Sequence, residues 1–457
     1  MKLTIDQIMQ QAIKLHKEGK LHDAESFYKD ILKTDPKNPN ANYNLGIIAV
    51  SMNKPTEAIL FFKTAVEVNP NREQFWISYI TALINEKCFE EAEINFKKAI
   101  ELNPNNENFY NNYANTLNEL GKLEEAETNY KKAIELKPDF AEPYNNLGTA
   151  QRSLGKLDAS EISFRKAIEL NPDYIFAHNN LGNALQNLGK LDEAETAFRK
   201  AIELKQDYVE AHYNLIGVLF QLSKETSFFK ELDEIIKLGK INAVFGSLLS
   251  RAEVKFKTKR PNLFCKNPLN YVLKTNLTES CDFKTIFVET AKKLLGNVNV
   301  KHKFQHLLTK GDQTAGNIFL KRDGFMNEIQ KILRLEIEKY RTHFKDSEEG
   351  FLKNWPSKYD LNGWLIKMKS GGKLIPHIHE SGWISGSVYI NVPPKLKTDS
   401  GNLVVCIDEK NDLEENKKSI DVVTGSLCLF PSSLHHYTIP FESNEERIVL
   451  AFDVIPK

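Results

Sequence analysis

The segment Gly121-Lys122-Leu123-Glu124-Glu125-Ala126-Glu127 decides the fold of the first half of the chain, because it recurs at a constant interval. Close variants stand at residues 155–161 and 189–195, each 34 residues after the one before, and residues 19–25 fit the same frame. The first five units each end in a proline, at Pro36, Pro70, Pro104, Pro138 and Pro172. Proline cannot continue a helix, so these positions mark unit boundaries. We therefore predict six helix-pair repeats, at residues 5–38, 39–72, 73–106, 107–140, 141–174 and 175–208, and a degenerate unit or capping helix from Val209.

Each unit also carries a small residue at the helix contact and an aromatic residue behind it. Examples are Leu147-Gly148 with Phe164, and Leu181-Gly182 with Phe198. These features together resemble the tetratricopeptide repeat (TPR) family. The resemblance implies an all-α superhelix, in which each unit covers the apolar face that its neighbour leaves exposed.

A row of amide side chains occupies one position of the first helix in successive units, with Ser78 filling the gap: Asn44, Asn112, Asn146, Asn180 and Asn214. In TPR arrays that helix lines the concave groove. Because an amide both donates and accepts hydrogen bonds, such a row is suited to hold an extended peptide backbone. The alternative is that these amides bond neighbouring helices to each other.

The composition is that of an ordinary globular protein, with 41% hydrophobic and 27% charged residues among 457. Lys and Arg balance Asp and Glu at 61 each, so net charge gives no pull toward nucleic acid or an anionic membrane. The apolar runs are shorter than a bilayer span, and the N-terminus lacks the apolar core of a signal peptide. Five scattered cysteines without a C-x-x-C pair predict neither a disulfide framework nor a cysteine zinc site. We expect a cytoplasmic location and neither membrane nor nucleic-acid partners.

The second half of the chain changes from helical to strand periodicity. Helix candidates span Phe283–Leu295 and Asp323–Thr342, with a polar loop predicted at residues 311–319 between them. From Asn362 the apolar residues alternate, which predicts strands at residues 364–369, 374–379, 384–392, 402–407, 420–423, 426–430, 436–439 and 447–454. Eight short strands fit a double-stranded β-helix, or jelly roll. We predict a multidomain α + β chain: TPR array at residues 1–222, helical linker at 223–261, and a jelly-roll domain with flanking helices at 262–457.

Three elements of the last hundred residues carry the chemistry. His377 and His379 stand at strand spacing, His436 lies on a later strand, and Arg447 follows eleven residues after it. Imidazoles from two strands can hold Fe(II) on one face and leave positions open. Arg447 can pair with the far carboxylate of 2-oxoglutarate, because a guanidinium makes the bidentate carboxylate pair best.

The ordered set of motifs resembles the 2-oxoglutarate/Fe(II) oxygenases that accompany TPR arrays, of the prolyl-hydroxylase-like superfamily. The set comprises Gln313-Thr314 with Gly316-Asn317, the His377-x-His379 pair, residues 385–393, residues 425–432, His436 and residues 446–448. The resemblance implies the jelly-roll fold, Fe(II) and 2-oxoglutarate as cofactors, and hydroxylation chemistry.

One residue departs from that family pattern. The superfamily's iron motif has a carboxylate where this chain has His379, and Glu380 belongs to the other strand face. Two ligand sets therefore stay open: His377, His379 and His436, or two histidines with water. Tyr389 is the candidate second contact of the co-substrate, and His435 is expected to be structural. Trp364 and Trp383 are expected in the core or pocket wall, and Gln313 either contacts the site or shapes its loop.

These features predict an Fe(II)- and 2-oxoglutarate-dependent dioxygenase that hydroxylates a peptide or protein captured by the TPR groove. A scaffold protein with an inactive jelly roll is the alternative from another class. A further alternative is a three-histidine dioxygenase that needs no 2-oxoglutarate. The presence of Arg447 argues against this alternative.

Overall fold

The computed structural model describes residues 3–296, 302–303, 307–314, 316–320, 324–408 and 413–457. Its contacts divide the chain into two compact units, residues 1–206 and 207–457. Each unit is described by itself below. None of the helices in these described ranges combines the length and the apolarity needed to cross a lipid bilayer.

The first unit is a series of antiparallel helix pairs, one for each predicted repeat. The helices are α1 (Ile5–Lys17), α2 (Leu21–Thr34), α3 (Pro39–Ser51), α4 (Pro55–Val68), α5 (Glu73–Asn85), α6 (Phe89–Leu102), α7 (Glu107–Glu119), α8 (Leu123–Leu136), α9 (Ala141–Ser153), α10 (Leu157–Leu170), α11 (Ile175–Asn187) and α12 (Leu191–Leu204). The predicted all-α repeat array is therefore confirmed.

Glycine at the helix contact lets a phenylalanine ring of the second helix lie directly on the first. A Cβ atom on Gly148 would stand 2.7 Å from the ring of Phe164, and one on Gly182 would stand 2.5 Å from that of Phe198. Both distances are far below van der Waals contact, so a side chain there would force the two helices apart. The recurring Gly–Phe pair thus sets the close packing within these repeats.

Ion pairs link each of several repeats to the next. Glu93, Glu127 and Glu161 each contact a Lys or Arg four residues later in the same helix. Each also accepts from a lysine 29 residues later, at the start of the next second helix: Lys122 at 2.7 Å, Lys156 at 2.6 Å and Lys190 at 2.8 Å. We call this set the Glu–Lys ladder.

The second unit begins with three further helices, α13 (Val209–Gln221), α14 (Glu225–Lys237) and α15 (Ala243–Phe256). Gly246 of α15 lies against Phe264, whose ring in turn contacts Trp383 at a centroid distance of 5.1 Å. The region predicted as a helical linker is therefore packed against the second half of its unit. Three more helices follow: α16 (Thr290–Leu295, continuing a π-helical segment Lys284–Glu289), α17 (Gly324–His343) and α18 (Gly350–Lys353).

In the described part of the second unit, ten strands form two antiparallel sheets: β1 (Leu273–Asn276), β2 (His302–Lys303), β3 (Leu308–Thr314), β4 (Tyr359–Leu374), β5 (Ile384–Asn391), β6 (Leu403–Cys406), β7 (Lys417–Ile420), β8 (Ser426–Pro431), β9 (His435–Thr438) and β10 (Arg447–Pro456). The larger sheet has the order β1-β8-β5-β10-β4-β3-β2 and the smaller one β7-β6-β9. This arrangement is consistent with the predicted jelly roll.

Strand β10 lies at the centre of the larger sheet, and its successive side chains point alternately to the two faces of that sheet. Ala451 and Asp453 point to one face of the sheet and stand beside Trp364 and Asn362 of β4, while Phe452 points to the opposite face. There the Phe452 ring lies where Gly386 of β5 has no side chain, since a Cβ would be 2.2 Å from it. Packing on one face thereby fixes which residues of β10 face the other.

Three sequence predictions about these strands are wrong in part. The strand predicted at residues 420–423 lies instead at Lys417–Ile420, where its backbone pairs with β6, so only Ile420 is shared. Residues 311–314, predicted as loop, belong to β3, because their backbone pairs with β4 despite their polar side chains. The strand predicted at residues 374–379 ends at Leu374, because Pro376 has no amide hydrogen with which to continue a ladder. The predicted start of α17 at Asp323 lies outside the described residues.

Candidate metal and co-substrate site

The end of β4 and the start of β9 bring three histidines together. His377 makes a single antiparallel bridge to His436, with amide-to-carbonyl distances of 3.2 and 2.9 Å. His379 follows two residues later. The ring centroids of the three histidines lie 4.3 to 5.1 Å apart.

One nitrogen from each of His377, His379 and His436 lies within 4.8 Å of the other two. The Nε2 atoms of His377 and His379 are 3.2 Å apart. A metal ion about 2.1 Å from two imidazole nitrogens, at angles between right and tetrahedral, holds them about 3.0–3.4 Å apart. The observed spacing fits two ligands of one ion.

The hydrogen bonds behind these rings fix which nitrogen carries the proton. Nδ1 of His377 lies 2.9 Å from the carbonyl oxygen of Ile375, and Nδ1 of His379 lies 2.6 Å from Oδ1 of Asp453. Both oxygens accept, so both Nδ1 atoms donate and both Nε2 atoms present lone pairs. Two lone pairs facing each other at 3.2 Å repel unless a cation stands between them, which supports the fit to a metal.

Burial favours the neutral form of His377 and His436, which is the form in which an imidazole binds a metal. It lowers the pKa of His377 to about 4, with a further contribution from His379. It also lowers the pKa of His436 well below the usual histidine value, and His377 and His379 add to that effect. Nδ1 of His436 is buried with no hydrogen-bond partner among the described residues. The chemistry of the donor set thus fits a divalent metal ion.

His435 and Glu380 lie outside this group, as the sequence predicted. His435 precedes His436 on β9 and is buried at 6% exposure. Glu380 is exposed to solvent. Within the described ranges, His377, His379 and His436 are the set whose donor atoms converge.

Arg447 is completely buried at the start of β10. Its Nη1 donates to the carbonyl oxygen of Gly401, and its guanidinium carbon lies 5.0 Å from the centre of the Tyr389 ring. Its Nε and Nη2 atoms are buried and have no hydrogen-bond partner in the described part of the chain. A buried guanidinium with unused donors fits a carboxylate ligand.

A cavity of about 410 Å³ adjoins the histidines. Its wall includes the three histidines, Gln313, Trp364, Ser387, Tyr389, Val449 and Ala451. Gln313 therefore contacts the cavity, and Trp364 forms part of its wall. Trp383 does not line it; its indole instead donates to the carbonyl oxygen of Phe351 at 2.7 Å.

Sequence reasoning missed two polar residues that support the site. Oδ1 of Asp453 accepts from His379, and the hydroxyl of Ser385 donates to the same oxygen at 2.8 Å. A signal was present, because Asp453 is an acid on the same strand face as Arg447, in an otherwise apolar strand.

The amide row of the first unit makes hydrogen bonds between repeats. Asn146 donates to Asn111 and Asn115 of the preceding repeat at 3.3 and 3.1 Å, and Asn180 donates to Asn145 at 2.9 Å. Asn44 donates within its own helix to the carbonyl of Asn40. Asn112 is exposed, and Asn214 lies in the second unit. The structure thus gives Asn146 and Asn180 the interhelical role that the sequence left as the alternative.

Comparison with known families places both halves of the chain. Residues 362–453 match the model of a family described as "Putative 2OG-Fe(II) oxygenase". TPR family models match at residues 15–79, 81–106, 95–128, 114–155, 148–189 and 175–208. The chain thus carries TPR repeats followed by a region that matches the model of a 2OG-Fe(II) oxygenase family. The oxygenase match includes His377, His379, His436, Arg447 and Asp453, and the resemblances predicted from the sequence are confirmed.

Several solved structures are similar to part of the chain. MamA is 22% identical and aligns over 38% of this chain and 94% of its own, with a TM-score of 0.34. A tetratricopeptide repeat protein from Parabacteroides merdae ATCC 43184 is 18% identical over 48% and 87%, with a TM-score of 0.42. YrrB, a TPR protein with an unusual peptide-binding site, is 20% identical over 40% and 95%, with a TM-score of 0.35. No match was found among curated proteins.

Proposed function

We propose that the second unit is an Fe(II)- and 2-oxoglutarate-dependent oxygenase of the hydroxylase type. The observation that carries the proposal is the convergence of three imidazoles beside a cavity, with a buried and incompletely bonded guanidinium on a strand that lines it. The family match over residues 362–453 supports the same chemistry.

His377, His379 and His436 would hold the iron, and Arg447 with Tyr389 would hold the far carboxylate of 2-oxoglutarate. When bound, Fe(II) and 2-oxoglutarate would supply the oxidising chemistry: O2 is consumed, 2-oxoglutarate is converted to succinate and CO2, and a C–H bond of the substrate is hydroxylated. The protein itself would bind and orient the co-substrate and the substrate, and would shield the metal from water. Trp364, Val449 and Ala451 line the cavity and limit the entry of water around the metal.

Arg447 and Tyr389 together would determine how the far carboxylate of 2-oxoglutarate is oriented. Nη1 of Arg447 is held by the carbonyl of Gly401, so the remaining donors of the guanidinium keep a fixed orientation. Burial raises the pKa of the Tyr389 hydroxyl, which keeps it protonated and able to donate. A carboxylate at this position would accept from both groups, whereas a neutral ligand would leave the buried charge unpaired.

The substrate we propose is a peptide or protein captured by the TPR repeats. Tethering a capture site to a catalytic site raises the local concentration of the target, which a free small-molecule enzyme does not need. Since Asn146 and Asn180 are committed to neighbouring helices, the exposed Asn112 is the better candidate for contact with a peptide.

One alternative activity has a specific observation in its favour. A site of three histidines without a carboxylate also suits a dioxygenase that uses no 2-oxoglutarate. The unused donors of Arg447 speak against it, because such an enzyme has no far carboxylate to bind.

The deciding experiment supplies the full-length protein with Fe(II), ascorbate, O2 and 2-oxoglutarate, and measures succinate. We expect slow uncoupled succinate formation without a substrate, lost in His436→Ala. Succinate release by wild type at the level of a metal-free control would contradict the proposal and favour an inactive scaffold. O2 consumption without dependence on 2-oxoglutarate would favour the three-histidine alternative.

A further inference from the structure

The ligand that departs from the common iron motif is backed by a buried carboxylate. His379 stands where the motif has an acid, and its Nδ1 lies 2.6 Å from Oδ1 of Asp453. Asp453 is 5% exposed, and the side chain of His379 is 13% exposed. Trp364 covers the histidine from another side, at a ring centroid distance of 5.2 Å. The pair is therefore largely shielded from solvent.

A second set of contacts holds the carboxylate itself. The Ser385 hydroxyl donates to Oδ1 of Asp453 at 2.8 Å and lies 2.8 Å from the hydroxyl of Ser432. Both serines are buried, at 1% and 0% exposure. Gly382 closes over this network, since a Cβ there would lie 2.5 Å from Ser432 Oγ and 3.2 Å from Asp453 Oδ1. The carboxylate cannot turn away without disturbing these neighbours.

This arrangement has two chemical effects on His379. A carboxylate can only accept, so it holds the proton on Nδ1 and leaves the Nε2 lone pair toward His377 and His436. The arrangement also places a carboxylate behind the three histidines, one side chain away from the position where the common motif would place it directly on the metal.

We propose that Asp453 is the positioning residue of the metal site, which fixes the tautomer of His379 and supplies from behind it the negative charge that a coordinating carboxylate would provide. The inference rests on the proposed metal-dependent function, and it adds that a His-x-His motif works here because β10 carries the missing acid. Two residues, His379 and Asp453, thus share the task that one carboxylate performs in the common motif.

The test is Asp453→Asn in the full-length protein, read out on metal binding and on the histidine tautomer. An asparagine amide both accepts and donates, so it can turn its NH2 toward Nδ1 and move the proton to Nε2. We expect the affinity for Co(II), measured by calorimetry, to fall roughly 10- to 100-fold, as is typical for loss of such a partner. In the metal-free protein, nitrogen NMR of labelled histidines should show an increased Nε2–H population for one histidine, identified by its loss in His379→Ala.

Three variants complete the test. Asp453→Glu retains a carboxylate and should keep most of the Co(II) affinity. Ser385→Ala removes one support of Asp453 and should weaken Co(II) binding several-fold, which carries the test if Asp453→Asn fails to fold. Asp408→Asn changes another buried acid of the same unit, outside the metal site, and should leave Co(II) binding unchanged.

The outcomes separate this inference from the proposed function. Co(II) binding by Asp453→Asn with wild-type affinity and an unchanged tautomer would overturn the role of Asp453 and leave the metal site standing. If Asp453→Asn and Asp408→Asn weakened Co(II) binding equally, the cause would be general destabilisation of the fold. That result would also overturn the positioning role of Asp453. A wild-type protein that binds no Co(II) would remove both proposals together.

Discussion

His435 and His436 are adjacent on β9, both are buried, and only His436 joins the group of converging donors. Successive residues of a strand face opposite sides, so the two histidines provide a matched pair of substitutions. We expect His436→Ala to abolish Fe(II) binding and His435→Ala to retain most of it. Metal content after anaerobic loading, measured by mass spectrometry, checks this. Equal iron in wild type and His436→Ala would remove His436 from the site.

We expect replacement of Arg447 by leucine to have two opposite effects, weaker binding of 2-oxoglutarate and higher thermal stability of the ligand-free protein. Arg447→Leu should weaken 2-oxoglutarate binding roughly tenfold or more, because a charge-assisted hydrogen bond contributes about 1.5–3 kcal/mol. Without ligand, the same change should raise the melting temperature, because it replaces a buried, unpaired charge by an apolar side chain. Calorimetric titration and thermal unfolding measure the two effects. A variant that is destabilised and still binds 2-oxoglutarate normally would show that Arg447 is a structural residue.

At the scale of elements, the Glu–Lys ladder predicts how the helix pairs respond to acid. Hydrogen bonds from Lys131 and Lys156 lower the pKa of Glu127 to about 2. A carboxyl group whose pKa is lower in the folded state stabilises the fold above its unfolded pKa, and this contribution is lost as the pH falls toward 2. Glu127→Gln should therefore lower the melting temperature at pH 7, by an amount that shrinks between about pH 4.5 and pH 2.

The control for this prediction lies in the same helix. Glu135 pairs with Lys132 within α8 at 2.9 Å and is 68% exposed. Exposed pairs within one helix contribute about 0.3–0.5 kcal/mol, so Glu135→Gln should change the melting temperature much less. An equal change in both variants, or no dependence on pH for Glu127→Gln, would contradict a special role of the link between repeats.

Sequence periodicity predicts these elements well wherever side-chain pattern alone determines them. The helix pairs follow from the 34-residue repeat, and β10 follows from the alternation that begins at Arg447. The strand β3 could not be predicted, because Gly311-Asp312-Gln313 are polar and their strand conformation comes from backbone pairing with β4. The partnership of His379 with Asp453 was likewise out of reach, because 74 residues separate them and only the sheet register brings them together. Local pattern thus singled out the three histidines whose donor atoms converge, and only the tertiary structure shows which residues hold them in place.

At the scale of the whole chain, the division after Gln206 gives the place at which the proposed capture function can be separated from the proposed oxygenase activity. Removal of residues 1–206 retains α13–α15, which belong to the same compact unit as the sheets. We expect uncoupled 2-oxoglutarate turnover to remain largely intact, while the apparent KM for a protein substrate rises sharply because the tether is lost. Kinetic comparison of the full and shortened chains on one purified substrate measures this. Equal efficiency of the two would mean that the repeats serve only to localise the enzyme.

A single substitution in the full chain complements the truncation. Asn112→Ala changes an exposed amide, whereas Ala in place of Asn146 or Asn180 would also remove bonds between repeats. We expect Asn112→Ala to raise the KM for the protein substrate and to leave the unfolding temperature of the array unchanged. A fall in that temperature of the size seen for Asn146→Ala would indicate that Asn112, too, serves the helices.

The spacing of the Glu–Lys ladder makes the units of the array interchangeable. The units at residues 107–140 and 141–174 each offer a glutamate to the unit that follows and a lysine to the unit that precedes, with 29 residues between the partners of every pair. Deletion of residues 123–156, one whole period, would join Lys122 to Leu157 and leave both Glu93–Lys122 and Glu161–Lys190 at their original separation. Gene duplication or loss of one period therefore preserves every junction, while an insertion of a single residue breaks the one it enters. The repeat array can in this way lengthen or shorten in evolution by whole units, with no compensating mutations at the new boundary.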